Sequence, residues 1–121
     1  MSPRDLFLQF LADYAAKDID AIAATLAHDV SLRDWNVSVH GAEAVLRETL
    51  KNFRGARSID IEVLAVYEAA QSVAGELRIV VDQDIELHVV DIIEFDARSK
   101  IVAIRSYKGR ADADEASPAA P

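Results

Sequence analysis

The sequence predicts an α+β fold in which helices come first and a curved antiparallel sheet follows. Two observations predict it. Apolar residues recur at helical spacing through the first half of the chain, and from Ser58 onward the period drops to two in four long runs joined by short spacers. With 121 residues there is room for one domain with one core, and 51% hydrophobic residues is enough to fill it.

Ser2-Pro3-Arg4-Asp5 reads as a helix start: serine caps, proline fits the first turn, and an acid three residues after the cap meets the free amides. Leu6, Phe7, Phe10, Leu11 and Tyr14 then recur at helical spacing and leave Arg4, Asp5, Gln9 and Asp13 outside. Asp18 caps a short second helix, whose stripe of Ile19, Ile22, Ala23 and Leu26 is expected to run until His28-Asp29 ends it. Val30, Leu32 and Asp34 alternate with Ser31, Arg33 and Trp35, which is strand periodicity, and Asp34 falls on the apolar side. Gly41 opens a third helix with Val45, Leu46, Thr49, Leu50 and Phe53 as its buried stripe, ending near Gly55.

The four long runs are Ser58 to Glu68, Ser72 to Asp82, Ile85 to Phe95 and Lys100 to Tyr107, and the spacers between them are short enough for hairpins. In the third run Ile85, Leu87, Val89, Ile93 and Phe95 share one parity with Asp91, while Val90 and Ile92 make the other face apolar as well. A sheet buried on both faces in so small a protein implies a partner on the second face, and the expected partner is a second copy of the chain, a homodimer. Beyond Gly109 the chain is alanine, acid and proline without apolar periodicity. Residues 1–109 are therefore expected to form the domain, and 110–121 a disordered tail.

Charge and composition exclude several classes. A net charge of −8, with no basic cluster beyond Lys51, Arg54 and Arg57, opposes binding to nucleic acid. Every apolar run is broken by charge within a few residues, so no membrane span is expected. No signal-type apolar segment follows Met1 and there is no cysteine, which makes the cytoplasm the expected compartment. His28, His40 and His88 lack metal-ligand spacing, and no serine sits on a nucleophile turn.

Two aspartates carry the chemistry. Asp34 and Asp91 both fall on apolar parities, and a carboxylate is costly to bury unless it is paired, solvated in a pocket or protonated. If they share a cavity their pKa values are pushed apart, which creates an acid and a base. The plainer readings are a turn-capping Asp34 and an Asp91 paired with Arg78 or Arg105. Tyr14 and Trp35 read more readily as core or rim aromatics than as catalytic groups.

The order of elements resembles the SnoaL-like and ketosteroid-isomerase-like branch of the nuclear transport factor 2-like superfamily. The stretches that carry the resemblance are Asp18-Ile19-Asp20, Asp29-Val30-Ser31-Leu32-Arg33-Asp34, and Asp91-Ile92-Ile93-Glu94-Phe95 leading to Lys100 through Arg105. It covers roughly residues 3 to 109, and it implies a cone-shaped roll with the sheet wrapped around the first helix. By position Asp34 matches the general-base aspartate of the ketosteroid isomerases, and Asp91 matches the aspartate kept protonated to donate to an oxyanion; that enzyme is itself the standard example of a carboxylic acid held neutral by an apolar site. The tyrosine of that site is matched by Phe10, which lines a pocket but cannot donate, so Tyr14, one turn on along the same face, is the hydroxyl that remains. Lys108 stands where the isomerases place an aromatic. Epoxide hydrolases of the superfamily carry Asp-Arg-Asp with Arg and Asp two apart on one strand. No Arg-x-Asp occurs inside the strands here, and Arg78 or Arg105 would have to bridge the two aspartates.

The expected site is a pocket lined by Phe10, Tyr14, Leu32, Trp35, Val45, Thr49, Leu87 and Val89, with Asp34 as base and Asp91 as proton donor. Its ligand is a small hydrophobic molecule with a carbonyl or hydroxyl, and the reaction an isomerisation, cyclisation or related elimination. Proton transfer of this kind calls for no cofactor. The rival expectation is a binding or dimerisation module of the same fold without turnover.

Overall fold

The computed structural model describes residues 1–110; the expected disorder of residues 111–121 lies outside the described residues. Helix α1 spans Pro3–Ala15 and starts as its sequence dictates. The Ser2 hydroxyl accepts from the Asp5 amide at 3.1 Å, and the Asp5 carboxylate accepts from the Ser2 amide at 3.3 Å, so two otherwise orphaned donors are satisfied. Helix α2, Ile19–Thr25, is capped by Asp18, whose side chain accepts from the Ala21 amide at 3.1 Å.

Helix α2 ends earlier than its apolar stripe suggests. Leu26 is already extended, and β1 runs Leu26–Arg33. Leu26, Ala27 and Val30 are all buried, a spacing that mimics a helix, because the strand's register shifts between Leu26 and Ser31 as it pairs with its neighbour. Local periodicity therefore reads helix where an irregular strand is buried.

Strand β2 (Ser38–His40) pairs back on β1, and helix α3 covers Ala42–Gly55. Gly41 enters α3 at φ 95°, left-handed backbone that glycine adopts without strain, and its amide donates to the Val30 carbonyl at 2.7 Å. That bond ties the start of α3 to β1. Strands β3 (Ile59–Glu68), β4 (Ser72–Val81), β5 (Ile85–Phe95) and β6 (Ile101–Lys108) form an antiparallel meander, and the sheet order is β2-β1-β6-β5-β4-β3. The curved sheet stays open and is mixed rather than wholly antiparallel, because β1 joins β6 in parallel. A parallel neighbour needs a long connection, and here five other elements lie between the two strands.

The core lies between the helices and the concave face. Phe7, Leu77, Ile93 and Val30 are fully buried there, with Phe10, Leu11, Val45 and Phe53 closing around them. Gly75 permits the closest approach: a Cβ at that position would stand 2.3 Å from the Phe7 ring. Residue 75 must be bare for α1 to seat. On the convex face Val90 is 39% exposed and Tyr107 50%. That face also carries ion pairs, Arg78 with Glu62 and Glu86, and Arg105 with Glu94. Among the described residues no helix is long and apolar enough to cross a membrane.

Candidate functional site

A cavity of about 350 Å³ opens between α1, α3 and the concave face of the sheet, within the usual range for small-molecule sites. Helix α1 contributes Phe10 and Tyr14; α3 contributes Val45 and Thr49; the end of β1 and the turn after it contribute Leu32, Asp34 and Trp35; β5 contributes Leu87, Val89 and Asp91. All ten side chains singled out in the sequence line this one space. Asn52 and Ser106 line it as well and were missed. Both had a local signal: Asn52 follows Thr49 by three on α3, and Ser106 shares parity with the buried Ile104 on β6.

Asp91 is 9% exposed, and its Oδ1 accepts from the Ser106 hydroxyl at 2.6 Å. The two residues are direct cross-strand partners. Burial pushes the Asp91 carboxyl up to about 6; the Ser106 bond opposes the shift and the charge of Asp34 adds to it. Neither arginine considered as its partner reaches it. Arg78 binds Glu86 through two hydrogen bonds and Arg105 pairs with Glu94, on the parity opposite to Asp91. The bridge of two aspartates by Arg78 or Arg105 is therefore not formed, because pleat parity sends both side chains to the convex face.

Asp34 stands just past the end of β1. Its Oδ1 accepts from the amides of Asn36 at 2.7 Å and Val37 at 2.8 Å, and its own amide donates to the Val37 carbonyl at 2.9 Å. One oxygen thus holds the turn, as the plainer reading expected, while Oδ2 makes no hydrogen bond among the described residues.

Tyr14 is clamped by aromatic neighbours, edge-on to Phe53 with centroids 4.9 Å apart and tilted against Phe10 at 6.1 Å. Its hydroxyl oxygen accepts from the Asn52 side-chain amide at 3.0 Å. Burial raises the phenol pKa, the Asn52 bond opposes this, and the charges of Asp91 and Asp34 add to the rise, so Tyr14 stays a neutral donor. Thr49 is satisfied within its own helix, donating to the Val45 carbonyl at 2.9 Å. Trp35 is 44% exposed at the rim, with the Lys108 ammonium 6.0 Å from its ring, so the lysine noted in place of an aromatic leans on one instead.

The arrangement is a mostly apolar cavity with two carboxyls and a phenol, and two of the three carry raised pKa values. It can take a proton, give one, and hydrogen-bond an oxygen. Among the described residues no three His, Asp or Glu side chains gather as a metal site.

Several solved structures share the fold. An LEH-like epoxide hydrolase of M. tuberculosis is 16% identical with a TM-score of 0.75, covering 87% of this chain and 80% of its own. A Kribbella flavida DSM 17836 protein, provisionally described as a ketosteroid isomerase, is 16% identical with a TM-score of 0.79, covering 98% and 90%. The epoxide hydrolase/cyclase-like enzyme SalBIII, of pyran ring formation in the polyether salinomycin, is 17% identical with a TM-score of 0.78, covering 91% and 92%. At such identities the likeness is one of fold, the nuclear transport factor 2-like α+β fold. No curated protein matches the chain. The profile of the SnoaL-like domain matches residues 7–104, from the buried face of α1 to the strand that holds Ser106; the chain belongs to the SnoaL-like domain family.

Proposed function

We propose that this chain is a cofactor-free acid/base enzyme acting on a small, largely apolar carbonyl compound. The observation that carries the reading is Asp91: a buried carboxyl with a raised pKa and no cationic partner, in one cavity with a second carboxyl and a phenol. In the proposed step Asp34 takes a proton from the carbon beside the carbonyl. The electron pair moves onto oxygen, where Asp91 and Tyr14 donate, and Asp34 returns the proton at another carbon. Below about pH 6 Asp91 carries its own proton; above it Tyr14 is the donor that remains.

A second reading is a binding module without turnover, and the observation favouring it is the turn-capping role of Asp34. Incubation with acetophenone and cyclohexanone in deuterated buffer separates the two. The enzyme reading expects deuterium beside the carbonyl, seen by NMR, at a rate that Asp34→Asn abolishes; binding without exchange leaves the module. The reading extends to a homodimer in the cytoplasm, joined through the convex face around Val90 and Ile92.

A further inference from the structure

We infer that Asn52 is a positioning residue that sets the direction of the Tyr14 hydroxyl proton and so makes this end of the cavity a donor toward a ligand's acceptor oxygen. This rests on the reading of the cavity as a site for a carbonyl compound. A phenol oxygen both accepts and donates, whereas the side-chain NH₂ of asparagine can only donate. Because Asn52 Nδ2 donates to the Tyr14 oxygen at 3.0 Å, the Tyr14 proton is not used in that bond. No acceptor for it is found among the described residues, and both side chains line the cavity. The ring cannot swing away from this geometry, since Phe53 and Phe10 hold it on two sides.

The consequence is a site with two hydroxyl-type donors of different origin. Asp91 donates only while protonated, and its Oδ1 is already engaged by Ser106. Tyr14 donates at any pH below its own raised ionisation. The ligand class that suits this arrangement has an oxygen that accepts without donating, as in a ketone, aldehyde or ester carbonyl, on an apolar body. Asn52 compensates for Phe10, which has no hydroxyl to offer.

The polarity of the pair can be reversed by one substitution. Asn52→Asp places a carboxylate where the amide stood, and a carboxylate only accepts, so the Tyr14 proton turns to it and away from the cavity. Asn52→Ala removes the partner and leaves the proton free to rotate. Asn52 is exposed, so both variants are expected to fold. The probe is acetophenone, with its dissociation constant and its infrared carbonyl stretch read in each protein. In the wild type the stretch falls relative to buffer. In Asn52→Asp and in Tyr14→Phe the fall is lost and binding weakens by about fivefold, the worth of one hydrogen bond, while Asn52→Ala loses less than either. The absorbance of ionised tyrosine gives a second readout, taken as a difference from Tyr14→Phe to remove Tyr67 and Tyr107. Ionisation of Tyr14 should need higher pH in Asn52→Ala and higher still in Asn52→Asp. If Asn52→Asp keeps both the affinity and the lowered stretch while Tyr14→Phe loses them, the inference is overturned and the carbonyl reading stands. A wild type that binds no acetophenone overturns both.

Discussion

Strand β5 treats its acidic residues in two opposite ways. Glu86 and Asp91 lie five residues apart and therefore on opposite faces of the same sheet. On the convex face Glu86 takes two hydrogen bonds from Arg78 and one contact from His88, which together hold its carboxyl below the usual range. On the concave face Asp91 has one serine hydroxyl and no cation, and burial drives it the other way, to about 6. Where a carboxylate serves stability, the fold surrounds it with water and arginine. Where it is left with an apolar wall and one serine hydroxyl, burial of the charge costs stability, and that uncompensated cost is what supports the proposed acid/base role.

That contrast can be broken from either face. The largest effect is expected at Asp91→Asn. Below the ordinary carboxyl value of 3.8 both folded and unfolded wild type hold the proton, so the substitution should change little. As pH rises from 3.8 through about 6 the unfolded chain gives up its proton first, and the wild type loses stability until Asp91 is ionised in the fold as well. Above that window Asp91→Asn should be the more stable protein, by about 3 kcal/mol, since each pKa unit is worth ~1.4 kcal/mol. Urea unfolding at pH 4 and pH 8 checks this, and equal differences at the two pH values would refute the uncompensated burial of Asp91.

Next comes Gly75→Ala, at the cross-strand neighbour of Asp91. With the new Cβ 2.3 Å from the Phe7 ring, α1 must shift, at a cost of about 2 kcal/mol in thermal or urea unfolding. Since α1 carries Tyr14, acetophenone binding should weaken as well. A variant as stable as the wild type would show that α1 is seated elsewhere.

On the convex face Val90→Asp tests the proposed dimer. Val90 is 39% exposed and pairs across strands with Glu76 and Tyr107, so a charge there should leave the fold intact but halve the mass seen by light scattering. The smallest effect is expected at Glu86→Gln. The ion pair is solvent-exposed and screened, so the melting temperature should move by no more than about a degree or two. A larger drop would mean that the convex-face network carries more stability than exposed ion pairs usually do.

Legibility follows the range of the interactions. The caps at Ser2 and Asp18, the hairpin meander, and the parity of Asp91 with Val89 and Ile93 are set by residues within a few positions of one another, and the sequence alone determines them. The same holds for the expectation that Phe10, Tyr14, Val45 and Thr49 face inward, since helical spacing decides it. What only the tertiary structure decided is who meets whom. Ser106 finds Asp91 through the β5–β6 register, Asn52 meets Tyr14 across two helices, and Phe7 fills the place that Gly75 leaves open. Leu26 leaves its helix because a place beside Ile101 in β6 buries it in a strand, and no local pattern reports that competition. Each of these depends on contacts between residues far apart in the chain, whose free energy exists only once the sheet has closed over the helices.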